Sequence, residues 1–555
     1  MRALAGTLRA PSRFRTFGIL AGVFAVLWLV AIALQVRASA YKSEFDGYPD
    51  EPSHYVTGLM VRDYIAQGLP APPLAYAKDY YLHYPKIGLG HWPPLFYAAE
   101  GMWMLLFSGS RTSVLIWMAL CAAALASLLT WRLRRRFGWT AALCAGILLI
   151  LLPPVQEQTE MVMIELLLAI FAFLAAASFG DYMRTERWQD AARFGLFVLL
   201  DILTKGNAWA LILLPPIALL LSRKLYLIGK PAFWAGPAII ALCLPVQLLT
   251  FSLAHEGWTG GALDDYALVA LRGFTADLIH AGGIPLFCLA ALGIAASCLI
   301  PIWRREPVSA EPASMLALLL AVVLFHSLVP AGIEMRKLVM ALPALVFFVV
   351  LGAQSLNRRL GQMSPHAPVI TVAALAVIFA ITGFSIPKKQ PCEVSSVVAA
   401  LERRPEFQNA VFLVSGDSTF EGVFISECAM REKRPDHIIL RATKLLADAN
   451  WNESSYRLRF QTPTALMQYI DGLPIGIIAV QPQANIPWMA HHAILLRGLA
   501  MDTKEWEPLK VLNSTSTSGA PIGIRLYRRT HAISTETARA RIEQVPSMEA
   551  SWMAP

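Results

Sequence analysis

The chain has 555 residues, 56% of them hydrophobic and 15% charged, with a mean hydropathy of +0.51. Ordinary soluble domains carry about 25% charged residues, so this composition excludes a soluble enzyme and defines a polytopic α-helical membrane protein. The formal net charge of +9 reflects which loops hold the bases; it is not a nucleic-acid footprint, and no nucleic acid is expected among the partners.

A membrane-crossing helix needs about 20 mostly apolar residues. Such runs lie near 16–36, 112–131, 139–155, 161–179, 194–204, 207–222, 232–253, 284–302, 315–332, 338–354 and 367–386, which gives about 11 transmembrane helices, the fifth and sixth being short. Lys and Arg collect in short cytoplasmic loops. Arg2, Arg9, Arg13 and Arg15 precede the first run, and the clusters at 132–138, 184–193, 223–224, 304–305 and 358–359 fall at every second loop. This alternation predicts a cytoplasmic N-terminus and, after an odd number of spans, an external C-terminus. The small residues Ala38, Ser39 and Ala40 look like a signal-peptidase site, but the preceding apolar run exceeds the 7–15 residues of a signal h-region, so an uncleaved anchor is expected.

The first external loop, about 37–111, carries structure of its own. After Pro52, suited to a first helical turn, the residues Val56, Leu59, Met60 and Tyr64 recur at helical spacing, predicting an amphipathic helix on the membrane surface. The stretch HWPPLFYAAEGMWMLLF (91–107) predicts an interfacial helix rich in Trp and Tyr. Asp50 and Glu51 sit just before Pro52. One reading has a carboxylate capping that helix and its neighbour favouring the positive helix end; the other has a carboxylate held where a substrate hydroxyl can reach it.

Further acids and bases break membrane rules on the same outer side. Glu157 and Glu160 stand at the mouth of the fourth span, and Glu165, more than a turn deeper, is expected to face the bundle, since a carboxylate within a span costs at least about 2.5–3.5 kcal/mol. In DILTKGNAW (201–209), Lys205 could pair with Asp201 at i, i+4. Glu334, Arg336 and Lys337 lie at an outer boundary, where basic residues either anchor headgroups or meet an anionic partner such as lipid phosphate. A transporter would place such groups near the midplane in repeated halves; no repeat is visible, and a reaction at the outer face fits better.

From about 388 the composition becomes ordinary. Strands at 410–416, 437–442 and 475–481, helices at 420–432 and 464–472, and a closing strand at 521–529 predict an extracytoplasmic α/β domain over 388–530, with 531–555 a disordered tail. Five of the seven cysteines lie in or near apolar spans, while Cys392 and Cys428 fall in the external domain and could pair in an oxidising compartment.

An Asp-Glu pair in the first external loop, a PPLFY helix before the second span, an acid opening the fourth span, the LTKG turn at 203–206 and Arg336 followed by Leu342-Pro343 occur here in one order. In that order they resemble the bacterial relatives of protein O-mannosyltransferases and lipid A aminoarabinose transferases, membrane glycosyltransferases of the GT-C class and family 39 type. The resemblance covers roughly residues 15–385, so 1–387 reads as the transmembrane GT-C module. It implies a multi-pass protein of the bacterial inner (plasma) membrane, with a periplasmic C-terminal domain. The implied activity moves a sugar from a polyprenyl-phosphate donor to an acceptor hydroxyl of a protein, lipid or glycan, with inversion. By the same resemblance Asp50, with Glu51 beside it, is the catalytic acid that acts on the acceptor. Lys205 and Arg336, with His91 where relatives carry Lys before the double proline, lie by the donor phosphate, and Glu160 with Glu157 forms a second acidic site. A divalent cation could sit on Asp50 and Glu160. The rival readings are a flippase or exporter of lipid-linked sugars without catalysis, and a receptor whose outer domain does the binding.

Overall fold

The computed structural model of the chain describes residues 13–88, 90–246, 248, 263–359, 366–382, 388–404, 407, 410–448, 456–481, 489–509 and 523–531. Among these, six helices are long and apolar enough to cross a membrane: Thr16–Arg37, Arg111–Leu151, Glu165–Thr185, Tyr266–Trp303, Ala310–Leu328 and Met335–Arg358. Shorter apolar helices occupy Leu95–Leu106, Gly206–Ser222, Pro231–Val246 and Val369–Thr382. The elements around the first loop are α1 (Arg13–Arg37), α2 (Glu51–Ala66), α3 (Pro73–His83), α4 (Leu95–Leu106), α5 (Arg111–Leu151), α6 (Pro153–Thr159), α7 (Glu165–Thr185) and α8 (Trp188–Ile202).

Helix α5 is a hairpin. Gly138, at φ 78° and ψ 171°, takes a turn that a side chain resists, and Thr130 Oγ1 donates back to Ala142 O at 3.1 Å. The two arms are the runs read at 112–131 and 139–155. The run read at 284–302 is, by contrast, only the second arm of Tyr266–Trp303, bent at Gly283 (φ 66°) beside Pro285. Arg272, Asp277 and His280 lower the hydropathy of the first arm, which is why it escapes a composition scan.

The basic loops converge on one end of the bundle. Arg132 holds Asp181 at 2.9 Å and Glu311 at 2.6 Å, Arg223 donates to Arg305 O and Lys224 to Met183 O, and Val308 N donates to Leu221 O. The opposite end carries the first loop, the starts of α7 and of Gly206–Ser222, and the turn before Met335.

The fourth span starts later than its hydropathy suggests. Pro153 and Pro154 begin the short helix α6, residues 161–164 are not helical, and α7 begins at Glu165. Glu165 therefore lies in the first turn of the span, where a carboxylate suits the positive helix end; it is not a turn deeper.

Within the C-terminal domain a five-stranded sheet has the order β2-β1-β5-β7-β6, with β1 (Val411–Ser415), β2 (Ile438–Arg441) and β5 (Ile475–Val480) parallel and β6 (Trp506–Leu509) and β7 (Arg525–Arg529) antiparallel. A separate two-stranded ribbon pairs β3 (Ala447–Asp448) with β4 (Arg457–Leu458). Helices Ser418–Arg431 and Pro463–Asp471 match the sequence expectation; the first is capped by Asp417, whose carboxylate accepts from Phe420 N at 2.7 Å. The strand at the C-terminal end is internal to the sheet, and the edge belongs to β6, which the sequence hides because Pro508 interrupts its pattern. Proline is tolerated at an edge, where no ladder bond is lost. Helices Val394–Glu402 and Ala490–Met501 add to the elements read from the sequence. Cys392 and Cys428 are free thiols, and residues 532–555, read as a tail, lie outside the described residues.

This domain sits on the first loop. Helix Ser418–Arg431 packs against α2, Arg434 grips Asp63 at 2.6 and 3.3 Å, Tyr84 donates to Glu432 at 2.7 Å and Arg111 pairs with Glu427. With α4 on its other side, α2 is buried continuously from Glu51 to Met60. The amphipathic helix of the sequence reading exists, but its Glu51–Met60 part is enclosed by protein.

Candidate active site

Asp50 occupies the residue before α2, yet its side chain makes no capping bond. The carboxylate turns away and accepts from Arg336 Nη1 at 2.7 Å. Both side chains are 14% exposed. Arg336 also donates through Nε to Glu334 and lies over the Tyr48 ring, 4.6 Å from its centroid, so it is not a free cation. Burial acts to raise the Asp50 carboxyl, but the Arg336 guanidinium, helped by His54 and Lys205, outweighs it and holds the group at about 2.

A second cation–carboxylate pair stands beside the first. Lys205 Nζ donates to Glu165 Oε1 at 2.6 Å, and both are buried. The i, i+4 partner read from the sequence, Asp201, is instead fully buried, with neither carboxylate oxygen partnered among the described residues. Lys205 and Arg336 each stand at the start of a tightened 3₁₀ stretch, Gly206–Leu213 and Met335–Ala341, that leads into an α-helix. Lys337 does not join them: its ammonium donates to the carbonyls of Ala331 and Gly332 and clasps the turn before Met335.

One helical turn after Asp50, His54 is fully buried. Its Nδ1 lies 3.0 Å from the Tyr97 hydroxyl and its ring 4.5 Å from that of Trp92. Burial, opposed by Asp50, pushes the imidazole down to about 3, so His54 is neutral at physiological pH. The sequence reading missed His54 and Tyr97, although the spacing Asp50–His54 was available as an i, i+4 signal. The His91 ring lies 6.1 Å from that of Trp92.

Glu51 points elsewhere. Its buried carboxylate accepts from Gly47 N at 2.8 Å and Val162 N at 3.1 Å, with Lys389 Nζ at 3.4 Å, which ties the first loop to the segment before α7. Asp50 and Glu51 therefore do not converge on one point. Among the described residues, the ligating atoms of three acidic or His/Cys side chains come within 4.8 Å of one another at Glu432, Asp436 and His437, in the C-terminal domain, and not around Asp50 or Glu160. Among the described residues, Asp50 and Glu160 therefore belong to no such three-ligand cluster.

Glu157 is exposed, whereas Glu160 is 5% exposed at the end of α6. Burial pushes Glu160 up to about 7, against the pull of Lys389 and Arg37. Because this lies above the unfolded value near 4.3, the folded chain favours the protonated acid; the stability is fullest below about pH 4 and declines as pH rises through about 7. Glu160→Gln is expected to raise the midpoint of thermal unfolding by a few °C at pH 8 and by less at pH 5. Equal shifts at the two pH values in detergent would show that Glu160 is already ionised.

The sequence matches no family model and no curated protein. Solved structures do match the fold. ArnT from Cupriavidus metallidurans bound to undecaprenyl phosphate is 13% identical, with a TM-score of 0.55 over 93% of this chain and 98% of that one; its apo form gives 14% and 0.56 over 91% and 98%. The archaeal oligosaccharyltransferase AglB from Archaeoglobus fulgidus, in complex with an inhibitory peptide and a dolichol-phosphate, gives 13% and 0.51 over 94% and 75%. The chain thus has the GT-C fold, a multi-pass membrane module followed by a C-terminal domain.

Proposed function

We propose that this protein is a membrane glycosyltransferase that moves a sugar from a polyprenyl-phosphate donor to an acceptor hydroxyl at the outer face of the bacterial inner membrane. The observation that carries the reading is the Arg336–Asp50 pair, set beside Lys205–Glu165 at the end of the bundle opposite the basic loops. Structures with this fold have been obtained with undecaprenyl phosphate and with dolichol-phosphate, and a lipid phosphate is the ligand that two such cations suit. Residues 1–387 form the transferase module, with a cytoplasmic N-terminus. Residues 388–530 form an external domain that covers α2.

In the reaction, the bond between the sugar's anomeric carbon and the phosphate oxygen breaks with its electrons staying on the phosphate. An acceptor oxygen forms the new bond from the opposite face and gives its proton to Asp50. One displacement with one base inverts the anomeric centre, as in single-displacement glycoside chemistry. The phosphate gains one negative charge as Asp50 loses one, so Arg336 stays compensated throughout; a preorganised cation of this kind stabilises the departing charge. A carboxyl held at about 2 is a poor base. Drawing Arg336 toward the donor phosphate raises its basicity, which couples donor binding to base activation.

The test is incubation of the purified full-length protein, in detergent or nanodiscs, with a polyprenyl-phosphate hexose and candidate acceptors, following release of polyprenyl phosphate. Acceptor-dependent release with inversion is expected. Movement of the intact lipid-linked sugar across a vesicle membrane without release would identify a flippase and overturn the proposal.

A further inference from the structure

Among the described residues, two buried polar atoms beside the ion pairs lack a protein partner: His54 Nε2, from α2, and Glu165 Oε2, from α7. His54 is 0% and Glu165 2% exposed, and a buried polar group without a partner is costly. Their chemistry is complementary once the tautomer of His54 is assigned. The Tyr97 hydroxyl is fully buried and meets Nδ1 at 3.0 Å. If the hydroxyl donates to Nδ1, both are satisfied and the ring proton resides on Nε2. If Nδ1 donates instead, the tyrosine proton and the Nε2 lone pair are both left over. The first arrangement leaves fewer unsatisfied groups, so Nε2–H is a donor. Glu165 Oε2 is an acceptor, its sister oxygen already bonded to Lys205 at 2.6 Å.

A donor and an acceptor left open next to the same charged groups call for one substrate group that both accepts and donates. A hydroxyl does so with a single atom; a phosphate oxygen or an apolar group does not. His54 also lies within electrostatic reach of Asp50, Lys205, Glu165 and Arg336, the four groups given to the reacting end of the donor. Resting on the reading of this site as a lipid-phosphosugar transferase, we infer that His54 Nε2–H and Glu165 Oε2 form a subsite that grips one hydroxyl of a reacting sugar, with Tyr97 as the positioning residue that fixes the His54 tautomer. Glu165 then has two tasks, orienting Lys205 through one oxygen and reading a hydroxyl through the other.

The experiment compares bare polyprenyl phosphate with the polyprenyl-phosphate hexose and its monodeoxy analogues, as ligands of the full-length protein and, where turnover occurs, as substrates. Wild type is expected to bind the sugar-bearing lipid better than one deoxy analogue by about 10- to 100-fold, the range for a hydrogen bond to a charged group. His54→Phe keeps a ring against Trp92 but removes both nitrogens, and should shrink that ratio to within about threefold of unity while leaving the bare lipid phosphate bound as before. Tyr97→Phe should shrink it partly, and in ¹⁵N-histidine spectra should release His54 from the Nε2–H form seen in wild type. A grip on the donor sugar appears in these ratios without acceptor present; a grip on a sugar acceptor appears as a raised acceptor KM with the donor ratios intact. Wild-type binding of bare lipid phosphate with no deoxy analogue disfavoured and acceptor KM unmoved by His54→Phe overturns the subsite alone, as does an Nδ1–H tautomer in wild type. Failure of the wild type to bind even the bare lipid phosphate overturns the transferase reading itself.

Discussion

Asp50→Asn is expected to abolish most turnover, by roughly 10²–10⁴-fold, while the affinity for polyprenyl phosphate rises. The loss follows from removing the carboxylate that is bonded to Arg336 and stands one turn from His54. The gain follows from the same bond. In the resting protein Asp50 occupies Arg336 at 2.7 Å, so an incoming phosphate competes with it, and the neutral amide of Asn competes less. A gain of about 3- to 10-fold, about 0.7–1.4 kcal/mol, is the expected size. Because Asp50 makes no capping bond, neither Asp50→Asn nor Asp50→Ala should lose stability through the start of α2. The pH dependence has a definite sign. The folded-state value of about 2 lies below the unfolded one near 3.9, so the stability from this pairing is present above about pH 4 and lost as pH falls through about 2. No acid limb from Asp50 should appear between pH 5 and 8 in the free protein. Transfer rate and lipid-phosphate affinity, measured side by side on Asp50→Asn, decide the matter: near-normal turnover removes the base, and unchanged or weaker phosphate binding removes the competition.

The fold was legible because membrane burial leaves a coarse signal. Twenty apolar residues and alternating basic loops are both direct consequences of hydrocarbon and its cost for charge, and the loops so marked do meet at one end. Helix starts were less legible, since hydropathy averages over residues and cannot tell α6, opened by its own proline pair, from the first turn of α7 at Glu165. At the site, the residues that stand out by breaking membrane rules, Asp50, Lys205 and Arg336, do come together. Their pairing was not legible: Asp201 was the nearer acid in sequence, but Lys205 reaches across to α7, because tertiary contacts set the partner of a buried cation. His54 and Tyr97 carry no charge and belong to helices rich in aromatic and apolar side chains, where composition gives no reason to single them out. Glu51 shows the converse. Adjacent to Asp50 in sequence, it is about 100° away around a helix, and its carboxylate serves the backbone of Gly47 and Val162.

Arg336→Ala should cost more than Arg336→Lys, and should change the pH profile as well as the rate. Removing the guanidinium leaves Asp50 and Glu334 without the cation that holds both; because the pair is only partly buried, the cost falls below the about 3–5 kcal/mol of breaking a fully buried pair. Donor use should fall by roughly 10²–10³-fold. Lysine restores the charge, but a single ammonium cannot donate in two fixed directions to Asp50 and Glu334 while lying flat on Tyr48; a residual loss of about tenfold is expected. With Arg336 gone, the burial that already acts to raise Asp50 is no longer outweighed, so its carboxyl climbs and an acid limb enters the accessible pH range for Ala but not for Lys. The double variant Asp50→Asn/Arg336→Ala should lose less phosphate affinity than the sum of a cation removed from a site with its competitor intact, because the two groups share one bond. Equal rates and equal pH profiles for wild type, Lys and Ala would mean that Arg336 serves only to hold Glu334 and Tyr48 in place, and the donor phosphate would then have to rest on Lys205.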